Sequence, residues 1–179
     1  FFDEFKRLWR WYQWFMYRLA DKIVCVSTPV AQQFDRRIVQ ERVVVIHNGF
    51  PKDEFAPVPA ERVRAFRHRF GLEDCLAVGV VGRIKLGRKG QDTFVQAAAL
   101  LKDKFPNTRC VLIGSPVAGN EDHLRRLMDM CGRLGLQGCV VYTGDVDDIK
   151  AAYAALDISV LSSGLPEPFG GVVIESMAM

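Results

Sequence analysis

The sequence predicts an α/β fold: a Rossmann-like parallel sheet with helices on both faces, preceded by the end of another domain. Three observations carry this. From Leu76 onward, short apolar runs alternate with amphipathic stretches of helical period, the pattern of a parallel sheet covered on both sides. Glycines close several of the apolar runs, as strand ends before crossover connections require. Three prolines, Pro51, Pro57 and Pro59, interrupt regular structure and mark a boundary. The domains read as residues 1–50, a linker over 51–59, and a sheet domain over 60–179.

In chain order, residues 1–19 form an amphipathic helix. Phe1, Phe5, Leu8, Tyr12, Phe15 and Leu19 recur at spacings of three and four and share a face, which Phe2, Trp9 and Met16 widen. Trp14 and Tyr17 lie off that stripe among Arg7, Arg10 and Arg18. Ile23–Ser27 is a short buried strand. Ser27 or Thr28 caps a helix from Pro29 to about Arg37. Val43–Ile46 is a second strand, ended by the turn His47-Asn48-Gly49.

After the prolines a helix runs from Ala60 to Phe70 and stops at Gly71. Strands follow at Leu76–Val81, Arg109–Ile113, Val140–Thr143 and Ile158–Leu161. Helices are expected at Gln91–Lys104, Glu121–Leu134 and Asp147–Ala155, with a last one starting near Gly170. Right-handed crossovers make this sheet doubly wound, so ligands belong outside the carboxyl ends of its strands.

Composition is that of an ordinary globular chain, with 49% hydrophobic and 25% charged residues, and the net charge of +3 is too small to point to nucleic acid. Charges break every apolar stretch before the roughly 18 residues of a spanning helix. The acidic start does not read as a signal peptide. The five cysteines, Cys25, Cys75, Cys110, Cys131 and Cys139, show no CxxC spacing. They read as reduced core residues of a cytoplasmic protein, with no metal site expected. Without an initiator Met, and with Met179 inside an apolar helical run, the chain is expected to be a fragment.

The chemistry gathers at two loops. After Val81 comes Gly82-Arg83-Ile84-Lys85-Leu86-Gly87-Arg88-Lys89-Gly90, four cations and three glycines in nine residues. Clustered Arg and Lys suit a phosphate and glycines admit its close approach, yet a solvated basic loop has the same composition. The second stretch runs from Ser162 to Glu175. Gly170 and Gly171 open the last helix, whose N-terminus offers N–H groups to an anion. Glu167 precedes it in a loop held by Pro166 and Pro168, and Glu175 follows the first turn. Both carboxylates can face one crevice, although Glu175 also reads as a plain exposed helix charge.

The stretch Glu167-Pro-Phe-Gly-Gly-Val-Val-Ile-Glu175-Ser-Met-Ala-Met resembles the two-glutamate signature of family 4 retaining glycosyltransferases, which have two Rossmann-like domains (the GT-B fold). Gly82-Arg83 with Lys89-Gly90 resembles the family's phosphate-binding pair, and Val140–Gly144 its strand beside the nucleotide base. Residues 21–49 are similar to the end of its N-terminal domain. The resemblance implies the donor-binding part of a metal-independent hexosyltransferase of polysaccharide biosynthesis. By it, Arg83 and Lys89 hold the donor diphosphate and stabilise its leaving charge. Glu167 contacts the transferred sugar and Glu175 the ribose. Backbone groups at Phe169, Gly170, Gly171 and Val172 face sugar and phosphates, and Gly82, Tyr142, Thr143 and Gly144 complete the donor site.

The implied partners are a nucleoside-diphosphate sugar, UDP- or GDP-linked, as substrate rather than cofactor, and a glycan, lipid-linked or small-molecule acceptor. The acceptor pocket belongs mainly to the other domain, so these residues alone are expected to transfer little or no sugar. Lys85 and Arg88 read as surface charge, His47 as a hinge residue, His68 and His123 as exposed helix positions, and Asp157 as a turn residue. A nicotinamide-dependent oxidoreductase is disfavoured because Gly79-Val80-Val81-Gly82-Arg83 lacks GxGxxG spacing. A nucleotide-sugar epimerase or phosphorylase of the same architecture stays open, since fold does not settle function. So does a non-catalytic nucleotide-binding or interaction module. The arginine-flanked aromatics of residues 1–19 suit either packing on another domain or peripheral contact with the inner membrane surface.

Overall fold

A computed structural model of the protein describes residues 11, 12, 14–16, 19–34, 42–51 and 56–179. The chain divides into two compact units, Phe1–Phe50 and Pro51–Met179.

In the first unit, residues 11, 12, 14–16 and 19 are helical. The remainder of the helix read over residues 1–19 lies outside the described residues, Tyr17, Arg7, Arg10 and Arg18 included. Strand β1 (Ile23–Cys25) pairs in parallel with β2 (Val43–Val45), Ile23 opposite Val43. Between them α1 (Thr28–Ala31) starts at Ser27 with proline in its first turn, but the Ser27 side chain makes no capping bond. The helix expected to reach Arg37 stops earlier. The N–H groups of Gln33 and Phe34 bond carbonyls three residues back, at Val30 and Ala31, so the chain tightens into turns; residues 35–37 are outside the described set.

The second unit holds the sheet. Its elements are α2 (Ala60–Arg69), β3 (Leu76–Val81), α3 (Gln91–Leu101), β4 (Thr108–Ile113), α4 (Glu121–Arg133), β5 (Val140–Gly144), α5 (Ile149–Ala154), β6 (Ile158–Ser159) and α6 (Gly171–Ala178). The four strands are parallel in the order β5-β4-β3-β6. The chain therefore moves outward from β3 through β4 to β5, then returns to the other side of β3. That reversal is the topological switch point, where crevices open at strand carboxyl ends. β6 is shorter than the expected Ile158–Leu161, although the Val160 N–H still bonds Gly79 O at 2.8 Å.

Alternation along the strands sorts the core into two layers. Cys110 and Leu112 of β4 pack with Val80, Phe94, Val95, Ala98, Leu127 and Leu136 under α3 and α4. Val111 and Ile113 pack with Phe66, Leu72, Ala77, Ala151, Ala152 and Ala155 under α2 and α5. The cysteines are free thiols. Burial beside Cys139 pushes the Cys110 thiol up to about 12, so it sits in the core as a neutral apolar side chain.

Arg67 fastens α2 to the sheet. Nη1 donates to the Ala155 carbonyl at 2.7 Å and Nη2 to the Cys75 carbonyl at 2.7 Å. Nη1 also reaches Asp157 Oδ2 at 3.3 Å, and that oxygen accepts the Ala77 N–H at 2.7 Å. Asp157, read as a turn residue, thus ties the entry of β6 to the start of β3. Arg67→Ala leaves two half-buried carbonyls without their donor, at a cost of about 2–3 kcal/mol. Its urea midpoint falls accordingly with the slope unchanged.

Candidate functional site

Two loops leave the switch point, residues 82–90 after β3 and residues 160–170 after β6. Three bonds close the seam between them. The Gly164 N–H donates to Arg88 O at 3.1 Å, Ser162 Oγ donates to Lys89 O at 3.2 Å, and Lys89 Nζ pairs with Glu167 Oε1 at 2.6 Å. Gly90 makes the seam possible. Its φ is +69°, and a Cβ there would lie 1.6 Å from the Ser162 carbonyl oxygen.

Gln91, at the start of α3, stiffens the basic loop from behind. It is 2% exposed. Its Nε2 donates to Arg83 O at 3.0 Å and its Oε1 accepts the Lys85 N–H at 3.3 Å. His123 adds a second support, accepting the Leu86 N–H on Nδ1 at 3.2 Å. It is half-buried at the start of α4, a correction to its reading as an exposed helix position. His68 does lie on an exposed helix face, bonded to Glu73, and His47 is exposed in the loop after β2.

Between the loops lies a cavity of about 230 Å³, lined by Lys89, Gln91, Ser162, Ser163, Glu167, Gly170, Gly171, Val172 and Glu175 among others. A second, of about 480 Å³, is lined by Gly82, Arg83, Ile84, Lys85, Arg88, Lys89 and Val117. Lys89 belongs to both walls. Eight of the predicted residues thus border two adjoining hollows: Gly82, Arg83, Lys89, Glu167, Gly170, Gly171, Val172 and Glu175. Lys85 and Arg88, read as surface charge, are half-buried and line the second hollow with them. Phe169 is half-buried in the turn before α6 and is not in either lining.

Tyr142, Thr143 and Gly144 stand apart from that group, on β5 at the far side of the sheet. The register of β5 against β4 shifts between Leu112 and Ile113, so Gly144 rather than Thr143 faces Ile113. Such a bulge re-aims side chains. Thr143 Oγ1 turns to Gly144 O at 2.8 Å, and Tyr142 Oη lies 3.3 Å from Ser115 Oγ.

The charges in the cavity are held by partners. Ser163 Oγ donates to Glu167 Oε1 at 2.5 Å, beside Lys89 on the same oxygen. Burial pushes the Glu167 carboxyl up, but bonds from Lys89 and Ser163, with Arg88 nearby, outweigh it and hold Glu167 below the usual carboxylate range. Glu175 Oε2 accepts the Tyr153 hydroxyl at 2.6 Å. At α6, Gly170 takes φ +77°, and the Val173 N–H closes onto Gly170 O at 2.9 Å. The N–H groups of Gly171 and Val172 then have no helical carbonyl to bond, and both residues line the cavity.

Sequence reasoning passed over Gln91, Ser163 and Tyr153. Gln91 follows directly on Lys89-Gly90, and a polar side chain opening an otherwise apolar helix was its one available signal.

An open parallel sheet with a basic loop and a glutamate-flanked helix end at its switch point sets the chain in the class of Rossmann-like α/β domains with a ligand crevice at the strand ends. Residues 76–179 match the family described as "Glycosyl transferases group 1", and residues 2–54 match "Glycosyltransferase Family 4". The chain belongs to the group 1 glycosyl transferases. It is 32% identical over 143 residues to a glycosyltransferase of Methanocaldococcus jannaschii, an alignment covering 78% of this chain and 35% of that protein. It is 31% identical to the GDP-mannose-dependent alpha-(1-6)-phosphatidylinositol monomannoside mannosyltransferase of Mycolicibacterium smegmatis, covering 73% and 34%. The crystal structure of Anabaena HepE in complex with UDP-glucose superimposes with a TM-score of 0.82 at 28% identity, over 91% of this chain and 44% of that one. The chain spans about a third of the length of the curated relatives it matches.

Because Glu167 is held below its ordinary pKa in the folded state, its contribution to stability is full above the unfolded value of about 4.3 and is lost as pH falls through the lower folded value. In Glu167→Gln this contribution is absent. Urea midpoints of wild type and variant are expected to show a small difference that is greatest at neutral pH and vanishes once pH falls below the lowered folded value.

Proposed function

We propose that this chain forms the donor-binding part of a retaining glycosyltransferase. The enzyme moves a hexose-type sugar from a UDP- or GDP-sugar to a glycan, lipid-linked or small-molecule acceptor. The observation that carries the reading is the single hollow bordered by Lys89, Glu167, the α6 N-terminus and Glu175, adjoining the one bordered by Arg83.

In this reading the diphosphate spans Arg83, Lys89 and the N–H groups of Gly171 and Val172. Negative charge grows on the diphosphate as the bond to the sugar breaks. Once the donor is seated, two cations and a helix N-terminus face that growing charge, so they favour the transition state over the ground state. Glu167 accepts from hydroxyls of the sugar and Glu175 from those of the ribose. The acceptor oxygen arrives on the face from which the diphosphate departs, as the family resemblance implies. Glu167 is therefore a sugar contact and not a nucleophile. The base lies beside Tyr142–Gly144. The mannosyltransferase relative with its GDP-mannose dependence, and HepE with its bound UDP-glucose, support the donor class. The chain spans about a third of the length of its curated relatives, and the 179 residues alone are expected to turn over little or no donor.

Thermal unfolding of this chain with UDP, GDP, ADP and their sugars tests the donor site. A ligand at about 100 times its Kd stabilises the native state by about 2.7 kcal/mol and raises the midpoint by several degrees. Arg83→Ala and Glu175→Ala abolish the rise. A rise that survives both substitutions rules the assignment out.

One observation also favours peripheral membrane contact in the intact protein. Trp11, Tyr12, Trp14, Phe15 and Leu19 are all exposed in the first unit, with Trp11 and Trp14 meeting edge to face at 6.1 Å. Among the described residues no helix is long and apolar enough to cross a membrane. Exposed aromatics on a helix suit the packing face of a further domain and equally the interfacial layer, where an enzyme at the inner surface meets a lipid-linked acceptor. The intact protein is expected to cosediment with anionic liposomes at low salt and to detach as salt is raised. No cosedimentation at low salt removes the proposal.

A further inference from the structure

The hydrogen bond from Tyr153 to Glu175 joins α5 to α6 at the edge of the cavity. Tyr153 stands near the end of α5 and is only 6% exposed. Its neighbours Ala151, Ala152 and Ala155 belong to the core layer under α2 and α5. Phenylalanine fills such a position as well as tyrosine does, because the ring supplies the packing. The hydroxyl is the excess feature, and a buried hydroxyl needs a partner. Here the partner belongs to a different element: Glu175 on α6, at 2.6 Å through Oε2.

We infer that Tyr153 is the positioning residue for Glu175, fixing one carboxylate oxygen so that the other is presented to the nucleotide's ribose hydroxyls. The inference rests on the reading of Glu175 as the ribose contact. A carboxylate has two acceptor oxygens and turns freely about its last torsion when neither is held. With Oε2 committed to the phenol, the plane of the group is set and Oε1 stays available. The direction of the bond is fixed too. Burial and the bond to Glu175 both push the phenol well above its ordinary pKa, so it remains a donor across the neutral range and Glu175 the acceptor. Glu175 thus arrives ordered, and ribose binding does not bear the entropy of ordering it.

Glu167 shows the same device in smaller form. Ser163 holds Oε1 of that carboxylate as Tyr153 holds Oε2 of Glu175. The difference is depth: Ser163 sits in a half-buried loop, whereas Tyr153 is anchored in a helix whose face is core.

Calorimetric titration of the protein with UDP, GDP and ADP identifies the nucleotide it prefers, and Tyr153→Phe is then compared with wild type. The variant keeps the ring and is expected to bind that nucleotide about tenfold more weakly, the effect of one lost fixed contact. Its affinity for inorganic pyrophosphate, and for the 2′,3′-dideoxy form of the same nucleotide, stays at the wild-type value. In a Glu175→Gln background the same substitution adds no further loss. Equal affinity of wild type and Tyr153→Phe for the nucleotide overturns the inference. So does an equal weakening of nucleotide, dideoxynucleotide and pyrophosphate, which makes Tyr153 a packing residue. Wild-type protein that binds none of the three nucleotides removes the donor-site reading itself. Normal wild-type binding with an indifferent variant removes only the role of Tyr153.

Discussion

The site depends on one close approach of backbone to backbone. Gly90 passes so near the Ser162 carbonyl that no side chain fits between them. This contact brings the loop leaving β3 against the loop leaving β6, and the bonds at Arg88, Lys89 and Glu167 follow from it. Parallel strands on either side of a switch point diverge into helices on opposite faces, which opens a crevice by topology alone. Topology does not say how wide the crevice is. The glycine does, by letting the two walls touch at their base while the side chains of Lys89 and Glu167 meet above it.

That contact also decides which helix end is open to a ligand. Among the described residues two helices start at glycines in the left-handed region, α3 at Gly90 and α6 at Gly170. Both N-termini carry unpaired N–H groups and partial positive charge in principle. The start of α3 is pressed against protein backbone. A Cβ at Gly170, by contrast, would meet nothing within 4 Å, and Gly170 and Gly171 line the cavity. A dinucleotide-binding fold lays its pyrophosphate on the helix after the first strand. Here Ser162 packs against the glycine that opens that helix, and the basic loop stands between β3 and α3. The open end belongs to the helix after β6, next to the two glutamates.

Much of this was legible in the residues. The four strands of the sheet, the helices between them and the placement of chemistry at carboxyl ends follow from alternating apolar runs and from glycines closing them. The two loops were found as a run of cations and as a pair of glutamates around Gly170-Gly171. What escaped was the support. Gln91 looks like any polar residue at a helix start until its two bonds to the loop are seen. His123 is 37 residues from the amide it accepts, and no local pattern reports a contact of that span. Tyr153 is buried on a short helix 22 residues from Glu175, and no local pattern reports that bond either. Lys85 and Arg88 depart from expectation for the opposite reason: charge suggests exposure, while the turn of the loop folds both into a wall.

The electrostatics of the resting site fit this arrangement. An ion pair as accessible as Lys89–Glu167, with side chains 32% and 20% exposed, contributes little net stability once desolvation is counted. Its significance is in charge and position. Glu167 is the only acid in the linings of the two cavities besides Glu175, and four cations border the same space. Without a counter-charge, Lys89 would be repelled by Arg88 and Arg83 and would extend toward solvent. Paired with Glu167, it is kept at the boundary between the two hollows. In the proposed donor complex a diphosphate, which carries more charge than one carboxylate, would draw Lys89 toward itself and leave Glu167 with the Ser163 hydroxyl and an oxygen free for a sugar. The resting ion pair and the proposed loaded site would then use the same two side chains in alternative pairings, and the exchange would need a rotation of the lysine rather than a movement of the fold.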